Sequence, residues 1–437
     1  MNAKIKTLIK RCFDYTIEDE YRVFRLKRLP VRIRVSLTRS AVRKYGQKNV
    51  NPRMVVLHNY MGSGYGCNCK YVTEELLRRH ADVDLVWIVR NVQEQKENFP
   101  SGIRLVEYGT KEALQAYFDA AVWVCNYHLN AYWNMGLEKR PGQTYIQMWH
   151  GSLGIKRLER DCDLFRDMPA WGYLARKNSV NTDIWVSNST FETEVYQSAF
   201  WGVRNIKPLG HPRNDVFFLA DDSGIRKAVR DALQLEKEHH AVLYVPTYRE
   251  SGAFPAGKLV AERLMNALAR RFGGVWDMLV RCHPRMQNGV EDVVLHGGVG
   301  DPAGESMQGV NMQNRIVDAT AYPDIQELLV YADVVITDYS SCIFDYMLSG
   351  RPAFIYAPDL EQYNTERGFY YPLEETPFAI AKNMDILEER IETFDQHVYA
   401  AEVERFLASK GCMEDGQAAR RVADLIMEVI DHPEFEK

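Results

Sequence analysis

The stretch "VVITDYSSCIFDYMLSGRPAFIYAPD", residues 334–359, decides the fold class of this 437-residue chain. Its first apolar residues, 334–336, predict a buried strand, and the polar residues 337–341 predict a turn. "CIFDYMLSG" (342–350) places apolar residues on one side of a helix, and "PAFIYA" (352–357) predicts a second buried strand. A strand, a helix and a second strand in this order form the unit from which parallel sheets are built.

The same alternation of short apolar segments and helical stretches runs through most of the chain. Helical stretches such as 70–80 and 110–120 separate the apolar segments, as expected of an α/β protein. The pattern starts again after residues 203–212, which predicts two consecutive Rossmann-like domains. The predicted strands are 54–60, 83–89, 103–108, 120–126, 144–150 and 183–188 in the first group, and 241–247, 276–284, 315–320, 332–338 and 352–357 in the second.

Length and composition agree with a folded protein of two domains. A chain of 437 residues is too long for one simple core, and 46% hydrophobic with 26% charged residues is typical of globular proteins. We therefore predict a basic N-terminal helical extension at 1–50 and an N-terminal Rossmann-like domain at 51–207. A C-terminal Rossmann-like domain follows at 208–437, with closing helices at about 386–431. The Gly-rich segment 286–314 is predicted to be mostly loop.

Charge is distributed unevenly along the chain. Residues 1–53 hold 15 Lys plus Arg against 4 Asp plus Glu, although the whole chain has a net charge of −5. Bases mixed with Val, Ile, Leu and Phe suit an anionic membrane surface, where each Lys or Arg contributes about 1 kcal/mol. The alternative is a basic surface helix packed on the acidic body of the protein. Nucleic-acid binding is disfavoured because no base-reading module accompanies the charge.

Neither a membrane span nor a zinc site is predicted from the sequence. No stretch approaches the ~18 apolar residues that cross a bilayer, and the N-terminus lacks the apolar core of a signal peptide. The eight cysteines are scattered. Only Cys67 and Cys69 lie close together, without the second pair that a zinc site needs. These features predict a reduced, cytoplasmic protein that is soluble or lies on a membrane surface.

The segment "YIQMWHGSLGIKRL" (145–158) holds the first candidate catalytic residue. An apolar strand ends at Trp149, and Gly151 and Gly154 let the backbone turn tightly. His150 is therefore predicted at the carboxyl end of a strand, where open α/β sheets bind their ligands. The alternative is a histidine that is buried for structural reasons.

Ser340 and Ser341 form a second candidate site, in the turn before the predicted helix 342–350. The first amides of a helix have no partners inside the helix, and the two hydroxyls add donors at the same point. A phosphate or pyrophosphate would fit there. The alternative is an ordinary serine N-cap without a ligand.

Two further strand ends carry basic residues. Arg249 follows the strand in "YVPTYRE", where a guanidinium can hold phosphate oxygens with two parallel hydrogen bonds. His283 closes the strand in "LVRCHPR". Each residue alone reads as structural, but with His150 they occupy equivalent strand ends in two domains, which favours a shared cleft.

The remaining motifs are weaker. His211 and Arg213 lie in "PLGHPRND" at the domain junction, and Arg213 either faces the cleft or pairs with Asp215. Ser189 and Asp324 each precede a glutamate by three residues, which is the spacing of a helix capping box. The Gly-rich loop after the first strand lacks the full G-x-G-x-x-G pattern, so a nicotinamide cofactor is unsupported, and the Walker lysine motif is absent.

Six of these motifs together resemble a known family. "MWHGSLGIK", "GHPRND", "YVPTYR", "RCHP", "DIQELLVYADVVITDYSSCIFDYML" and "RPAFIY" occur in the order and at the separations seen in the CDP-glycerol glycerophosphotransferase family of teichoic-acid-type polymerases and primases. The resemblance covers residues 54 to 390. It implies a GT-B-like fold of two facing Rossmann-like domains. It also implies transfer of glycerol phosphate, or ribitol phosphate, from a CDP-linked donor to an acceptor hydroxyl with release of CMP.

The resemblance also implies roles for individual residues. His150 becomes the general base on the acceptor hydroxyl, a task for which histidine is the usual choice at neutral pH. His283 becomes a second catalytic residue, at the pyrophosphate of the donor. The expected donor-binding residues are Thr247, Arg249, Asp338, Ser340 and Ser341, and the expected acceptor-binding residues are Lys156 and Arg213.

The expected partners follow from the same resemblance. They are CDP-glycerol or CDP-ribitol as donor, a lipid-linked or surface glycan as acceptor, and the anionic inner face of the cell membrane, where the protein is expected to be peripheral. No cofactor is firmly implied, although a divalent cation would suit the pyrophosphate. Two alternatives stay open from the sequence: a GT-B glycosyltransferase that uses a nucleotide sugar, and a non-catalytic, membrane-associated assembly protein.

Overall fold

A computed structural model describes residues 49–162, 169–249, 258–283, 286, 289–295 and 315–432. Almost all of the predicted basic extension at 1–50 lies outside the described residues, and so does most of the Gly-rich segment 286–314.

The first half of the chain builds one seven-stranded sheet. Its strands are β1 (Asn51–His58), β2 (Asp84–Val89), β3 (Arg104–Glu107), β4 (Ala120–Cys125), β5 (Thr144–Gln147), β6 (Ile184–Ser187) and β7 (Ile206–Pro208). They are all parallel and lie in the order β3-β2-β1-β4-β5-β6-β7. The helices of this half are α1 (Cys67–Arg78), α2 (Val92–Gln95), α3 (Lys111–Asp119), α4 (Asn130–Met135), α5 (Pro169–Asn181) and α6 (Thr190–Ala199).

The second half builds a six-stranded parallel sheet and a short two-stranded one. The strands are β8 (His240–Val245), β9 (Leu259–Val260), β10 (Trp276–Val280), β11 (Val294–Leu295), β12 (Ile316–Asp318), β13 (Val334–Thr337), β14 (Ala353–Tyr356) and β15 (Ala379–Ala381). The larger sheet has the order β12-β10-β8-β13-β14-β15, and β9 pairs with β11. The helices are α7 (Ser223–Leu233), α8 (Ala261–Phe272), α9 (Ile325–Tyr331), α10 (Cys342–Tyr346), α11 (Leu360–Arg367), α12 (Met384–Glu392), α13 (Gln396–Ser409) and α14 (Ala418–Asp431).

The α/β class with two parallel sheets is confirmed, and every predicted strand overlaps an observed one. The central strands β4 and β13 are buried at every position. Helices cover both faces of such strands, so their sequences read as continuous apolar runs rather than as alternating ones. The edge strands β7 and β15 are only three residues long and partly exposed, and they were not predicted.

The last helix, α14, returns to the first sheet. Val422, Ile426 and Val429 on α14 belong to the same buried apolar cluster as Leu57 of β1 and Val72 of α1. The chain therefore crosses between the two sheets a second time near its end, and α14 ties them together. The predicted domain boundaries themselves stay a prediction.

The described helices are short or polar relative to the apolar core of a bilayer. Within the described ranges, none of them is both long enough and apolar enough to cross a membrane.

Candidate functional site

Each large sheet reverses its strand order at one point, and the candidate residues gather at these two points. The reversal lies between β1 and β4 in the first sheet, and between β8 and β13 in the second. Loops diverge there, so a crevice opens beyond the carboxyl ends of the strands. His150 follows β5, next to β4, while Thr247 and Asp338 follow β8 and β13. We call the region between His150 and the turn 338–341 the cleft.

A backbone carbonyl immediately after β4 holds His150 in one tautomer. Its Nδ1 atom lies 2.9 Å from the carbonyl oxygen of Asn126. Because a carbonyl only accepts, Nδ1 must carry the proton, and Nε2 is then an unprotonated acceptor. Among the described residues, no group hydrogen-bonds to Nε2, and the ring is only partly buried. The imidazole is therefore arranged to take a proton at Nε2.

The backbone before His150 is strained and firmly held. Trp149 has a φ of 52°, a conformation that bulky residues rarely adopt. Its N–H donates to Oε1 of Gln147 at 2.9 Å, and its carbonyl accepts from Nδ2 of Asn68 at 3.1 Å. The Trp149 and His150 rings lie 4.5 Å apart. Strain of this kind persists where the surroundings enforce it, and it is concentrated at functional sites.

His150 is neutral at physiological pH. Burial lowers its pKa from 6.5 to about 3, while the hydrogen bond to Asn126 acts in the opposite direction. The charges of Arg213, His128 and Lys156 make smaller contributions to the lowered pKa. An anion bound in the cleft would offset these charges and raise the pKa.

Asn126 is a site residue that the sequence analysis missed. It is fully buried and accepts from both neighbouring loops: its carbonyl from His150, and its Oδ1 from the backbone N–H of Tyr60 at 2.8 Å. Its Nδ2 donates to Oδ1 of Asn59 at 2.8 Å. The signal was present, because Asn126 is a polar residue at the end of the apolar strand β4, as His150 is after β5.

On the other side of the cleft, Arg249 is buried between two carboxylates. Its Nε donates to Asp359 at 2.7 Å and its Nη2 to Asp338 at 2.8 Å. The guanidinium also lies 5.1 Å from the ring of Tyr339 and 4.8 Å from the ring of Tyr363. Arg249 therefore lies among the donor-site candidates, as expected, but its charge is matched by two carboxylates of the protein itself. Asp359, the last residue of the stretch 334–359, was not predicted as a partner.

Asp338 connects the two loops that follow β8 and β13. Its carboxylate accepts from the backbone N–H of Thr247 at 2.9 Å and from that of Tyr339 at 2.5 Å, in addition to Arg249. The Thr247 carbonyl in turn accepts from Nη1 of Arg249 at 2.6 Å. Thr247, Arg249 and Asp338 thus form one hydrogen-bonded unit.

The remaining donor-site candidates lie at the same sheet edge. Ser340 and Ser341 are partly exposed in the turn before α10, and Ser341 makes no side-chain capping bond. Ser341 thus occupies the N-cap position of α10 without capping it through its side chain. His283 follows β10, beside β8, and its ring lies 5.1 Å from that of Tyr248.

The loop that follows His150 crosses to the second sheet. A Cβ added to Gly154 would lie 3.0 Å from the Cβ of Ser341. Lys156 pairs with Phe369 as an antiparallel bridge, and the neighbouring Tyr370 N–H donates to the carbonyl of Ile155 at 2.7 Å. These contacts bring the His150 loop and the serine turn together.

Lys156 reaches the donor-site candidates from this loop. The pKa of Lys156 is lowered from 10.5 to about 8, mainly by burial and also by the charge of Arg367, while Asp338 acts in the opposite direction. Within the described ranges, no carboxylate lies within ion-pair distance of its Nζ atom. Lys156 is thus a cation beside Asp338 that an anionic ligand would stabilise.

Arg213 is buried at the junction of the two sheets. Its Nε donates to Asp345 of α10 at 2.9 Å, and its Nη2 donates to the carbonyl of Gly151, the residue after His150. It does not pair with Asp215, which instead accepts from the first N–H groups of α14. The guanidinium therefore joins the His150 loop to the helix behind the serine turn.

The two predicted capping residues do cap helices. The Ser189 hydroxyl accepts from the N–H of Glu192 at 3.0 Å, and Asp324 accepts from the N–H of Gln326 at 3.2 Å. Asp324 also accepts from Nζ of Lys70 on α1 at 3.0 Å, so it connects the two halves as well.

In the part of the chain that the structure describes, no group of three or more His, Cys, Asp or Glu side chains is arranged to hold an ion.

Comparison with known proteins gives the same family as the motifs. The family model for CDP-Glycerol:Poly(glycerophosphate) glycerophosphotransferase matches residues 40–428. The teichoic acid poly(glycerol phosphate) polymerase of Staphylococcus epidermidis is 29% identical over 87% of this chain and 51% of its own length. The teichoic acid glycerol-phosphate transferase of Staphylococcus aureus is 26% identical over 97% of this chain and 99% of its own length.

A solved structure supports the same family. A variant of the wall teichoic acid polymerase TagF, soaked with CDPG, superposes with a TM-score of 0.74 at 27% identity, covering 95% of this chain and 98% of that one. The chain spans about half the length of the first curated polymerases that it matches, 51% and 49%.

The predicted family is therefore confirmed on three grounds: the motifs at the two strand-order reversals, a family model that matches nearly the whole chain, and a shared fold. This chain belongs to the CDP-glycerol:poly(glycerophosphate) glycerophosphotransferase family.

Proposed function

We propose that this protein transfers glycerol phosphate, or a related polyol phosphate, from a CDP-linked donor to an acceptor hydroxyl in the synthesis of a teichoic-acid-like polymer. The acceptor oxygen bonds to the phosphorus that carries the polyol, and the bond from that phosphorus to the CMP oxygen breaks. The acceptor proton passes to the enzyme, and CMP leaves. The observation that carries the proposal is a neutral His150, with Nε2 unpaired in the described structure, in a loop that contacts the serine turn.

His150 is the general base in this proposal. Its Nδ1–H is committed to Asn126, so the lone pair of Nε2 is available for the acceptor proton. Phosphoryl transfer depends mainly on positioning and on neutralising charge. His150 meets the requirement for positioning, because the buried carbonyl of Asn126 and the strained residue Trp149 hold it in place.

Ser340, Ser341, Thr247 and His283 are the proposed donor-binding groups, with His283 assisting departure of CMP. Their location at the reversal between β8 and β13 supports this role, because that crevice is the expected nucleotide site of such a sheet. Arg249 and Asp338 act with them by fixing the turn. We assign Arg249 to shaping the site, because Asp338 and Asp359 already match its charge.

Two residues that the sequence assigned to the acceptor receive different roles here. Lys156 is proposed to neutralise the donor phosphates, because the charges that act on it include those of the donor-site residues Asp338 and Arg249 together with that of Arg367. Arg213 is proposed to position His150, because its guanidinium is bonded to Asp345 and Gly151.

The protein is proposed to work at the inner face of the cell membrane on a lipid-linked or surface glycan. The basic composition of residues 1–53 and the names of the relatives, which concern teichoic acids, support this location. We also propose that a divalent cation assists at the pyrophosphate, which the arms with Mg²⁺ and EDTA in the experiment below test.

Release of CMP tests the proposal. Purified protein is incubated with CDP-glycerol, CDP-ribitol or a UDP-sugar, each with a bacterial membrane extract as acceptor, and each with Mg²⁺ or with EDTA. We expect CMP from at least one CDP-polyol and no UDP from the sugar nucleotide. Turnover of the UDP-sugar alone would overturn the proposal.

A further inference from the structure

We propose that Tyr60 and Tyr127 form an aromatic wall beside His150 that receives a sugar ring of the acceptor. The inference rests on the proposed function and deepens it. It states that the reacting hydroxyl belongs to an uncharged pyranose rather than to a terminal glycerol phosphate.

The two tyrosines lie where the acceptor crevice of the first sheet is expected. Tyr60 follows β1 and Tyr127 follows β4, which are the two strands at the reversal of strand order. Their rings lie 4.4 Å apart, and each ring lies 5.2 Å from the His150 ring. Both side chains are partly exposed. A ligand at Nε2 of His150 would therefore meet these rings.

All three side chains are fixed through one residue. The Oδ1 atom of Asn126 accepts from the Tyr60 N–H at 2.8 Å, and its carbonyl accepts from His150 at 2.9 Å. Tyr127 is the next residue in the chain, and its carbonyl accepts from Nε2 of Gln147 at 3.0 Å. The wall and the base are thus connected through Asn126, and such support holds a base in a fixed position relative to the hydroxyl that it meets.

The backbone of the wall is strained. Tyr60 has a φ of 21° and Met61 a φ of 56°, in a chain where few non-glycine residues have a positive φ. Each such conformation costs about 1–3 kcal/mol and persists where the surroundings enforce it. Here the strain turns the chain immediately after β1, so that the Tyr60 ring faces His150.

An aromatic wall favours an acceptor with an apolar face. Tyrosine has a large apolar ring with a polar tip, and a pyranose presents a face of C–H groups that such a ring can cover. Open-chain glycerol phosphate has no such face and carries a charge that needs a cation.

The charged groups near His150 also favour an uncharged acceptor. The basic groups that act on His150 are Arg213, which is bonded to Asp345, His128, which pairs with Glu159, and Lys156, which is itself acted on by Asp338. Arg90 follows β2 at the same sheet edge, is exposed, and donates through Nε to the Met61 carbonyl at 3.1 Å. If the acceptor ended in a phosphate, Arg90 would be its expected partner.

The test compares two acceptors with CDP-glycerol as donor. One is an alkyl glycoside that ends in an uncharged pyranose, and the other is the same glycoside carrying one terminal glycerol phosphate. We expect the uncapped glycoside to have at least a ~10-fold higher kcat/KM in CMP release. Tyr60→Ala and Tyr127→Ala are each expected to raise its KM ~10-fold while the KM of CDP-glycerol stays unchanged. Tyr60→Phe, which keeps the ring, is expected to recover most of the loss.

Arg90→Ala is the matched control, and it is expected to leave turnover of the uncapped glycoside unchanged. Faster use of the capped acceptor, with a loss in Arg90→Ala, would overturn the inference while the proposed function stands. So would an unchanged glycoside KM in both tyrosine variants. No CMP from CDP-glycerol with either acceptor would overturn the proposed function and the inference with it. Thermal unfolding of each variant shows whether it is folded, so that a loss of activity caused by misfolding is recognised.

Discussion

Gly154 and Ser341 touch across the cleft: a Cβ on Gly154 would lie 3.0 Å from the Cβ of Ser341. This is tighter than nine in ten real Cβ contacts, so a side chain at Gly154 requires the two loops to shift by a few tenths of an ångström. The loop with Gly154 carries the proposed base, and the turn with Ser341 carries the proposed phosphate ligands. The distance between these two segments therefore determines how the acceptor hydroxyl is aligned with the phosphorus that it attacks.

Gly154→Ala is therefore expected to lower kcat about 3- to 10-fold with little change in thermal stability, because a shift of about 1 Å in a reacting group can cost ~100-fold in rate and the shift here is smaller. The control is Gly224→Ala in the first turn of α7, where an added Cβ meets no atom within 4 Å. CMP release measures both variants. Equal activity of the two variants would show that the contact does not set the geometry of the reaction.

Arg249 is expected to be essential for stability. In Arg249→Ala the carboxylates of Asp338 and Asp359 stay buried without their cation, which typically costs about 3–5 kcal/mol. Urea denaturation measures the loss. The control is Arg405→Ala, which removes an exposed pair with Glu402 and is expected to cost less than ~1 kcal/mol. A similar small loss in both variants would contradict the account of Arg249.

Donor binding is expected to weaken as the pH rises through 8. The pKa of Lys156 is lowered to about 8, mainly by burial, so its ammonium is charged below that pH and loses its charge above it. CDP-glycerol keeps its pyrophosphate charge throughout. Titration calorimetry from pH 7 to 9 should show a rising Kd, and Lys156→Arg should remove the rise because arginine stays charged. If the Kd of Lys156→Arg rose by the same factor between pH 7 and 9, the pH dependence would come from a group other than Lys156.

The pKa of His150 is expected to rise when the donor binds. In the empty cleft it is lowered to about 3, mainly by burial. The unfolded chain, with a pKa near 6.5, therefore takes up the proton first, and this group makes the fold less stable as the pH falls below 6.5. NMR titration of labelled histidine should find no His150 protonation near pH 6.5 in the free protein, and a higher pKa with CDP-glycerol bound. A pKa near 6.5 without ligand would contradict this environment.

Strand ends were the most informative feature of the sequence. The apolar runs before His150, Thr247, His283 and Asp338 predicted strands that the structure contains, because strands buried on both faces need apolar residues throughout. Since parallel strands end at one edge, their terminal residues fall together.

Contacts between segments far apart in the chain could not be predicted in this way. Nothing in the sequence indicates that the Arg249 guanidinium is taken by Asp359, or that Arg213 bonds to Asp345 rather than to Asp215. The amphipathic pattern of 417–430 predicts an apolar face, but not that the face packs on the first sheet. Asn126 was missed because an asparagine at a strand end reads as the start of a turn.

The central claim is that His150 takes the proton from the acceptor, and one rate measurement tests it most directly. CMP release from saturating CDP-glycerol is compared for wild type, His150→Ala and His397→Ala, the last replacing an exposed histidine on α13. We predict that His150→Ala lowers kcat at least ~100-fold, the usual scale for loss of a general base, while His397→Ala matches wild type. A His150→Ala rate within about threefold of wild type would contradict the claim, because the loss of a general base cannot be that small.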